Sequence, residues 1–137
     1  MDKEILIRAQ QIEQEAKEVE QNIEIVEQQI GELKEFRHTL ENFDKSNEKD
    51  MLSMLGKGVY AKTEIKEMDL YVNVGANIIV KKSPKDTIKI IDEQTKRLGD
   101  VRMQLKTKGR AYAHAFQQIL EGIQEERKQT KIEKGDK

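Results

Sequence analysis

The fold is decided by a stretch near the amino terminus, residues 5–40, which reads ILIRAQQIEQEAKEVEQNIEIVEQQIGELKEFRHTL. Apolar or small side chains recur in it at alternating intervals of four and three residues until Arg37 interrupts the pattern. This period places them along one stripe of an α-helix, the seam that a coiled coil packs against its partner. The seam consists of Ile5, Ala9, Ile12, Ala16, Val19, Ile23, Val26, Ile30, Leu33 and Leu40.

A second heptad-patterned stretch follows Ser83-Pro84, a pair that suits the start of a helix because serine can cap it and proline is favoured at the first helical position. This seam is weaker than the first, since Thr95, Arg102 and Gly109 occupy some of its positions. If the chain folds back on itself, large residues of this seam face small ones of the first, which fills space well. Its apolar members are Ile88, Ile91, Leu98, Leu105, Tyr112, Phe116, Ile119 and Ile123.

The segment between the two stretches has a different pattern, in which β-branched and aromatic residues alternate with polar ones. It predicts four short strands, at 51–55, 59–65, 69–74 and 78–82, which form two hairpins with glycine-containing turns. The predicted fold class is therefore mainly α, within the α+β type. It is a long antiparallel coiled-coil hairpin with two short β-hairpins between its helices.

Composition limits the functions that this chain can have. Only 36% of the residues are hydrophobic and 37% are charged, which suits an exposed helical rod better than a globule. The 25 basic and 26 acidic residues are interleaved, so no basic stripe is available for nucleic acid. No apolar run is long enough for a membrane span or a signal segment. We expect a soluble, cytoplasmic protein with neither nucleic acid nor membrane among its partners.

The chain offers no convincing site for catalysis, a cofactor or a metal. Residues 56–61 formally match the nucleotide fingerprint G-x-G-x-x-A, but that mechanism requires a helix directly after the glycines, and here a strand pattern follows. We interpret the segment as a turn. There are no cysteines, and the two histidines, His38 and His114, are far apart in sequence. We expect no enzymatic activity, no cofactor and no metal.

Two surfaces are candidates for binding. Antiparallel packing brings Ile5-Leu6-Ile7 to the same end of the rod as Ile119, Leu120 and Ile123, and the seam cannot bury all six. Such a cluster on so polar a chain indicates an interaction surface. The alternative is that the residues outside the seam are scattered surface apolars, which are common. The open edges of the hairpins predict oligomerisation, and the alternative there is a self-contained β-patch on the helix ends.

The chain resembles the prefoldin chaperones, and within them the alpha class, either an archaeal-type subunit or an alpha-like paralogue. The resemblance rests on the order of helix, two hairpins and helix, and on residues 55–60 and 72–80, which look like the glycine turns of that family's double hairpin. The helix start at Ser83-Pro84 also matches. The methionine-rich segment 51–55 departs from the regular strand that the family has there.

The resemblance implies an ATP-independent holdase whose hairpins build a β-barrel body and whose coiled coils grip unfolded proteins. Clients can then be handed to a group II chaperonin. The other implied partners are beta-class prefoldin subunits, copies of this chain, or both. The residues that would build the body are Val59, Tyr60, Ile65, Val72, Val74, Ile78 and Val80. The residues that would bind clients are Ile5, Leu6, Ile7, Ile119, Leu120 and Ile123.

On this basis residues 1–137 are expected to form a single prefoldin-like domain. It comprises a helix over 3–44, an oligomerisation segment over 51–82, a second helix over 84–130 and a frayed tail over 131–137. The competing hypothesis is a scaffold protein that tethers fixed partners or forms an open homopolymer, because repeating strand contacts that do not close give filaments.

Overall fold

The computed structural model describes residues 3–135, apart from the side chains of Glu133 and Lys134. Two long helices enclose four short strands in the sequence, so the predicted fold class is confirmed. The elements are α1 (Lys3–Lys45), β1 (Asp50–Gly56), β2 (Val59–Glu64), β3 (Leu70–Asn73), β4 (Ile79–Lys82) and α2 (Pro84–Gly135).

The described chain divides into two compact units, and the first consists of helix alone. This helical unit comprises residues 3–29 of α1 and 98–135 of α2. In its α1 segment every seam residue is buried or half-buried and every other described residue is exposed. The two segments run antiparallel. The Lys106 ammonium lies 3.8 Å from the Glu27 carboxylate, and Gly109 faces Val19 so closely that an added Cβ would lie 3.4 Å from its Cγ1.

The second compact unit, Ile30–Arg97, is called the hairpin unit because it contains all four strands. Its helical segments bury Ile30, Leu40 and Ile91. Arg37 explains why the first seam is interrupted. Its Nε donates a hydrogen bond of 2.7 Å to Asp92 on α2, and its guanidinium also pairs with Glu41. A charged bridge between the helices therefore takes the place of an apolar layer.

Helix α2 begins as the sequence predicts. The Ser83 hydroxyl accepts a hydrogen bond of 3.1 Å from the Asp86 amide, and Pro84 occupies the first helical position. The buried Thr87 hydroxyl donates to the Ser83 carbonyl at 2.9 Å. This cap satisfies amides that would otherwise lack partners.

Each hairpin is a separate two-stranded antiparallel sheet. Strands β1 and β2 are joined by Lys57 and Gly58, whose φ angles of 49° and 78° fit the two-residue turns that match strand twist. A register shift lies between Met54 and Gly56. The turn between β3 and β4 is closed by a hydrogen bond of 3.0 Å from the Val74 amide to the Ile78 carbonyl.

The observed bounds differ from the expected ones mainly at the carboxyl end. Helix α2 continues to Gly135, beyond its expected end at residue 130, so the frayed tail expected over 131–137 is wrong for residues 131–135. Between residues 130 and 135 the chain contains good helix formers and no proline, so nothing stops the helix earlier. Residues 136–137 lie outside the described part. Every other bound lies within one residue of its expected position.

Candidate functional site

The strongest candidate site is an open apolar pocket in the helical unit, between the first turns of α1 and a segment of α2. We call it the tip pocket, and its volume is about 260 Å³. Isoleucine side chains from both helices form most of its apolar wall, and an arginine and a glutamate also line it. Its lining residues are Ile5, Arg8, Ile119, Gly122, Ile123 and Glu126.

Three of the six residues predicted to bind clients line this pocket. Ile5, Ile119 and Ile123 are seam residues and are half-buried there. Their position follows from the heptad spacing, which directs them toward the opposite helix.

The other three predicted residues lie outside the seam and do not line the tip pocket. Leu6, Ile7 and Leu120 are exposed by 44%, 53% and 44%. Leu120 borders a separate groove along α2, next to Phe116. The six predicted client-binding residues therefore form two groups, one that lines the tip pocket and one that is exposed outside it.

The three remaining lining residues, Arg8, Gly122 and Glu126, were not predicted from the sequence. The signal was present, because Arg8 follows Ile5 by three residues and Gly122 follows Ile119 by three, so each shares a helix face with a predicted residue. The spacing did not indicate that the missing side chain of Gly122 would leave space in the wall of the tip pocket.

The hairpins form a second candidate site, which is an interface. Most of the residues predicted to mediate oligomerisation are exposed in the single chain. Ile65 and Val72 are instead half-buried, beside a groove of about 580 Å³ between α1 and the strands. The α1 side of this groove includes Phe36 and Phe43. The exposed members are Val59, Tyr60, Val74, Ile78 and Val80.

The hairpins also expose large apolar side chains that were not predicted to mediate oligomerisation. On β1, Leu52 and Met54 lie on the same face as Tyr60 of β2, which pairs directly with Met54. Because β1 carries apolar residues on both faces, its alternation could not indicate which face is covered. On the strands, these further exposed residues are Met51, Leu52, Met54, Leu55, Tyr71 and Ile79.

One ionisable group of the hairpin unit is perturbed. The Lys81 ammonium on β4 lies 3.2 Å from the Glu67 carboxylate and 3.7 Å from that of Asp69. The hydrogen bond and charge of Glu67, followed by Tyr71 and Asp69, raise the pKa of Lys81 above its ordinary value of 10.5. This pairing ties β4 to the connection between β2 and β3.

Two negative findings concern the described residues 3–135. Their histidine, aspartate and glutamate side chains form no group of three that could hold a metal ion. None of their helices combines the length and the apolar character that crossing a membrane requires.

Comparisons with known proteins bear on the family and the fold. A family model described as Prefoldin subunit matches residues 12–129. Among solved structures, a chain from the cryo-EM structure of filamentous PFD from Methanocaldococcus jannaschii matches with a TM-score of 0.72 and 18% identity. That match covers 81% of this chain and 93% of the other. No curated protein sequence matches significantly.

Proposed function

This chain belongs to the prefoldin family, and from that membership we propose that it is an ATP-independent holdase, which binds unfolded proteins at the tip of its helices and prevents their aggregation. Prefoldin is a non-enzymatic chaperone fold. The observation that carries the proposal is the pair of adjacent exposed apolar side chains, Leu6 and Ile7, next to the open tip pocket. An unfolded client offers apolar segments that such a surface can cover.

Binding of a client would depend on many weak apolar contacts made at the same time. One exposed leucine or isoleucine gains about 1.5–3 kcal/mol when it is fully buried, which alone gives only transient binding. Several tips on one assembly gain avidity, because each further contact is made within the complex. Release needs no nucleotide, since single contacts open readily.

The proposal also covers the prefoldin class of this chain, its location and its binding partners. We assign the chain to the alpha class, active in the cytoplasm, as one domain over residues 1–137. Its hairpins would pair with beta-class subunits, with copies of this chain, or with both, and its clients would pass to a group II chaperonin. What supports this pairing is the set of open strand edges with exposed apolar residues such as Val59 and Ile78.

A scaffold that forms an open homopolymer is the second candidate function. The observation that favours it is the structural similarity to a chain of a filamentous assembly, together with strand edges that are open in both hairpins. Light scattering of the lone chain separates the two states of assembly: a polydisperse series indicates a homopolymer, and a single size after mixing with a beta-class subunit indicates a closed complex.

The proposed function is tested by an aggregation assay with a chemically denatured, unrelated enzyme. We expect Leu6→Ser/Ile7→Ser to reduce protection several-fold, because the change removes exposed apolar area and leaves the seam intact. Ile25→Ser is the matched control, since Ile25 lies on the same helix and its exposure of 53% equals that of Ile7. It should protect like the wild type.

A second pair of variants, one test and one control, examines the α2 side of the tip. Leu120→Ser should weaken protection, whereas Val101→Ser, at 42% exposure against 44% for Leu120, should not. If both tip variants keep their assembly size and full protection, clients do not bind at the tip. If the wild type itself fails to suppress aggregation, the holdase function is wrong and the scaffold remains.

A further inference from the structure

We propose that Met54, on the first strand of the hairpin unit, is a site of reversible oxidation by hydroperoxides, and that its sulfoxide opposes assembly through the hairpins. The inference rests on the proposed pairing of the hairpins and adds a covalent modification that controls it. Three observations carry it: the exposure of Met54 beside a residue of the predicted interface, the absence of cysteine from the sequence, and the position of a second exposed methionine, Met103, in the helical unit.

Met54 lies where assembly through the hairpins would cover it. It is 64% exposed in the single chain, and it pairs across the hairpin with Tyr60, one of the residues predicted to mediate oligomerisation. Directly opposite residues have their Cβ atoms about 4.5–5.5 Å apart, so the two side chains are neighbours. Leu52 lies two residues earlier on β1 and therefore on the same face. An oxidant can reach Met54 before assembly, and apolar contacts would enclose it afterwards.

Neither the strand nor its packing requires methionine at this position. Strands favour β-branched and aromatic residues, and methionine is neither. Leucine would supply similar apolar contacts, because exchanges between leucine and methionine conserve volume and usually cost little in packed sites. What methionine adds is a thioether, which is polarisable and open to oxidation. Met54→Leu is therefore a conservative variant that removes the chemistry and keeps the shape.

The reaction needs only a hydroperoxide. A lone pair of the Met54 sulfur attacks an oxygen of the peroxide, the O–O bond breaks, and a sulfur–oxygen bond forms. The leaving hydroxide takes up the proton of the transferred oxygen, so hydrogen peroxide yields one sulfoxide and one water. The sulfur is oxidised by two electrons and the peroxide is reduced by two. The sequence contains no cysteine, so no thiol within it competes for the oxidant.

The sulfoxide changes what the hairpin can bury. A thioether loses little when it leaves water, whereas a sulfoxide oxygen accepts hydrogen bonds from water and needs another donor when it is buried. Its neighbours on this face, Leu52 and Tyr60, are large apolar residues that are themselves exposed in the single chain. Oxidation of the free chain should therefore oppose assembly, and assembly should shield Met54 from the oxidant. A methionine sulfoxide reductase would restore the thioether.

Met103 on α2 provides an internal reference for this shielding. It is 68% exposed, close to the value for Met54, but it lies in the helical unit rather than on a strand. Hydrogen peroxide should oxidise both residues at similar rates in chains separated by dilution. In the assembled protein Met54 should react at least about tenfold more slowly than Met103, because oxidation follows exposure. Peptide mass spectrometry after brief treatment measures both rates, and equal rates in the assembly would overturn the shielding.

The test of function oxidises the full-length chain before it assembles. Wild type, Met54→Leu and Met103→Leu are unfolded in urea, treated with hydrogen peroxide and dialysed to remove urea and oxidant, alone and with a beta-class subunit. Sedimentation velocity then compares each with the same protein handled without peroxide. We expect oxidised wild type and oxidised Met103→Leu to assemble about tenfold more weakly, because a buried sulfoxide costs free energy. Met54→Leu should assemble equally well with and without treatment, and a loss equal to that of the wild type would overturn Met54 as the site.

Reversal distinguishes the proposed modification from general damage. A methionine sulfoxide reductase, with dithiothreitol as the reductant, should return oxidised wild type to its original assembly size. If assembly does not return although mass spectrometry shows Met54 reduced, the loss has another cause and the inference is wrong. A wild type that never assembles, even without peroxide, contradicts the proposed pairing of the hairpins and the inference with it. An assembly that forms normally with Met54 fully oxidised overturns the inference alone.

Discussion

The helical unit and the hairpin unit both expose large apolar side chains, but on different kinds of backbone. Among the described residues most of these side chains lie in the hairpin unit, where the strands carry them close together. In the helical unit they are fewer and lie apart, except for Leu6 and Ile7. Both surfaces are therefore apolar, but the exposed apolar side chains are more closely spaced on the hairpins than on the helices.

The type of backbone determines which contacts a binding partner can make with these apolar side chains. Beyond its first and last turns a helix pairs its own amides and carbonyls, so a partner on the helical faces gains mainly side-chain contacts. A strand edge leaves a row of unpaired amides and carbonyls, so a partner at the hairpins gains directional hydrogen bonds as well as buried area. The comparison thus predicts durable assembly through the hairpins and reversible binding at the tip.

The largest effect is expected from charge placed on the hairpins. Leu52→Glu/Ile79→Glu should weaken assembly more than about a hundredfold, because an unpaired charge buried in an interface costs several kcal/mol. Both side chains are exposed in the single chain, so its own stability should hardly change. Sedimentation velocity measures the assembly.

The matched control places the same charges on the helical unit. Val101→Glu/Met103→Glu also alters two exposed apolar residues, and it should assemble like the wild type. If the hairpin variant kept its size, or if both variants fell apart equally, the difference between the units would disappear.

An intermediate effect is expected inside α1, where buried and exposed isoleucines lie five residues apart. Ile30→Ala should lower the free energy of unfolding by about 2–4 kcal/mol, because Ile30 is buried in the seam. Ile25→Ala should cost less than about 0.5 kcal/mol, since its side chain is exposed. Thermal denaturation at one protein concentration compares them. An equal loss in both variants would mean that exposed apolar residues also hold the fold, and are not available for binding.

The sequence predicted the helices well because their pattern is local. The interval of four and three residues fixes which side of α1 is buried whatever the partner is, and residues 5–40 follow it in the structure. The capping role of Ser83 is local too, as is the turn at Lys57 and Gly58. These features depend on neighbours within a few residues.

The features that the sequence did not predict depend on contacts across the fold. The partner of Arg37 on the other helix is Asp92, which is 55 residues away, and no spacing rule connects them. The gap at Gly122 is visible only when Ile5 of the other helix closes the far side of the tip pocket. On β1 the apolar residues of both faces are exposed in the single chain, so the choice between faces belongs to the assembly.

The smallest effect concerns the ion pair that holds β4 within the hairpin unit. Lys81 is paired with Glu67, and this pairing raises the pKa of Lys81 above 10.5. A lysine with a raised pKa contributes its full stability below its unfolded pKa and loses that contribution as the pH rises through the folded value. Wild type should therefore melt slightly above Lys81→Met at about pH 8, and this gap should close in strongly alkaline solution and shrink with added salt. Other groups titrate in both proteins, so the difference isolates Lys81. If the difference in melting temperature persisted at high pH, the lysine would stabilise β4 through the packing of its aliphatic stem. Apolar contact would then matter at this strand edge as it does at the tip of the helices.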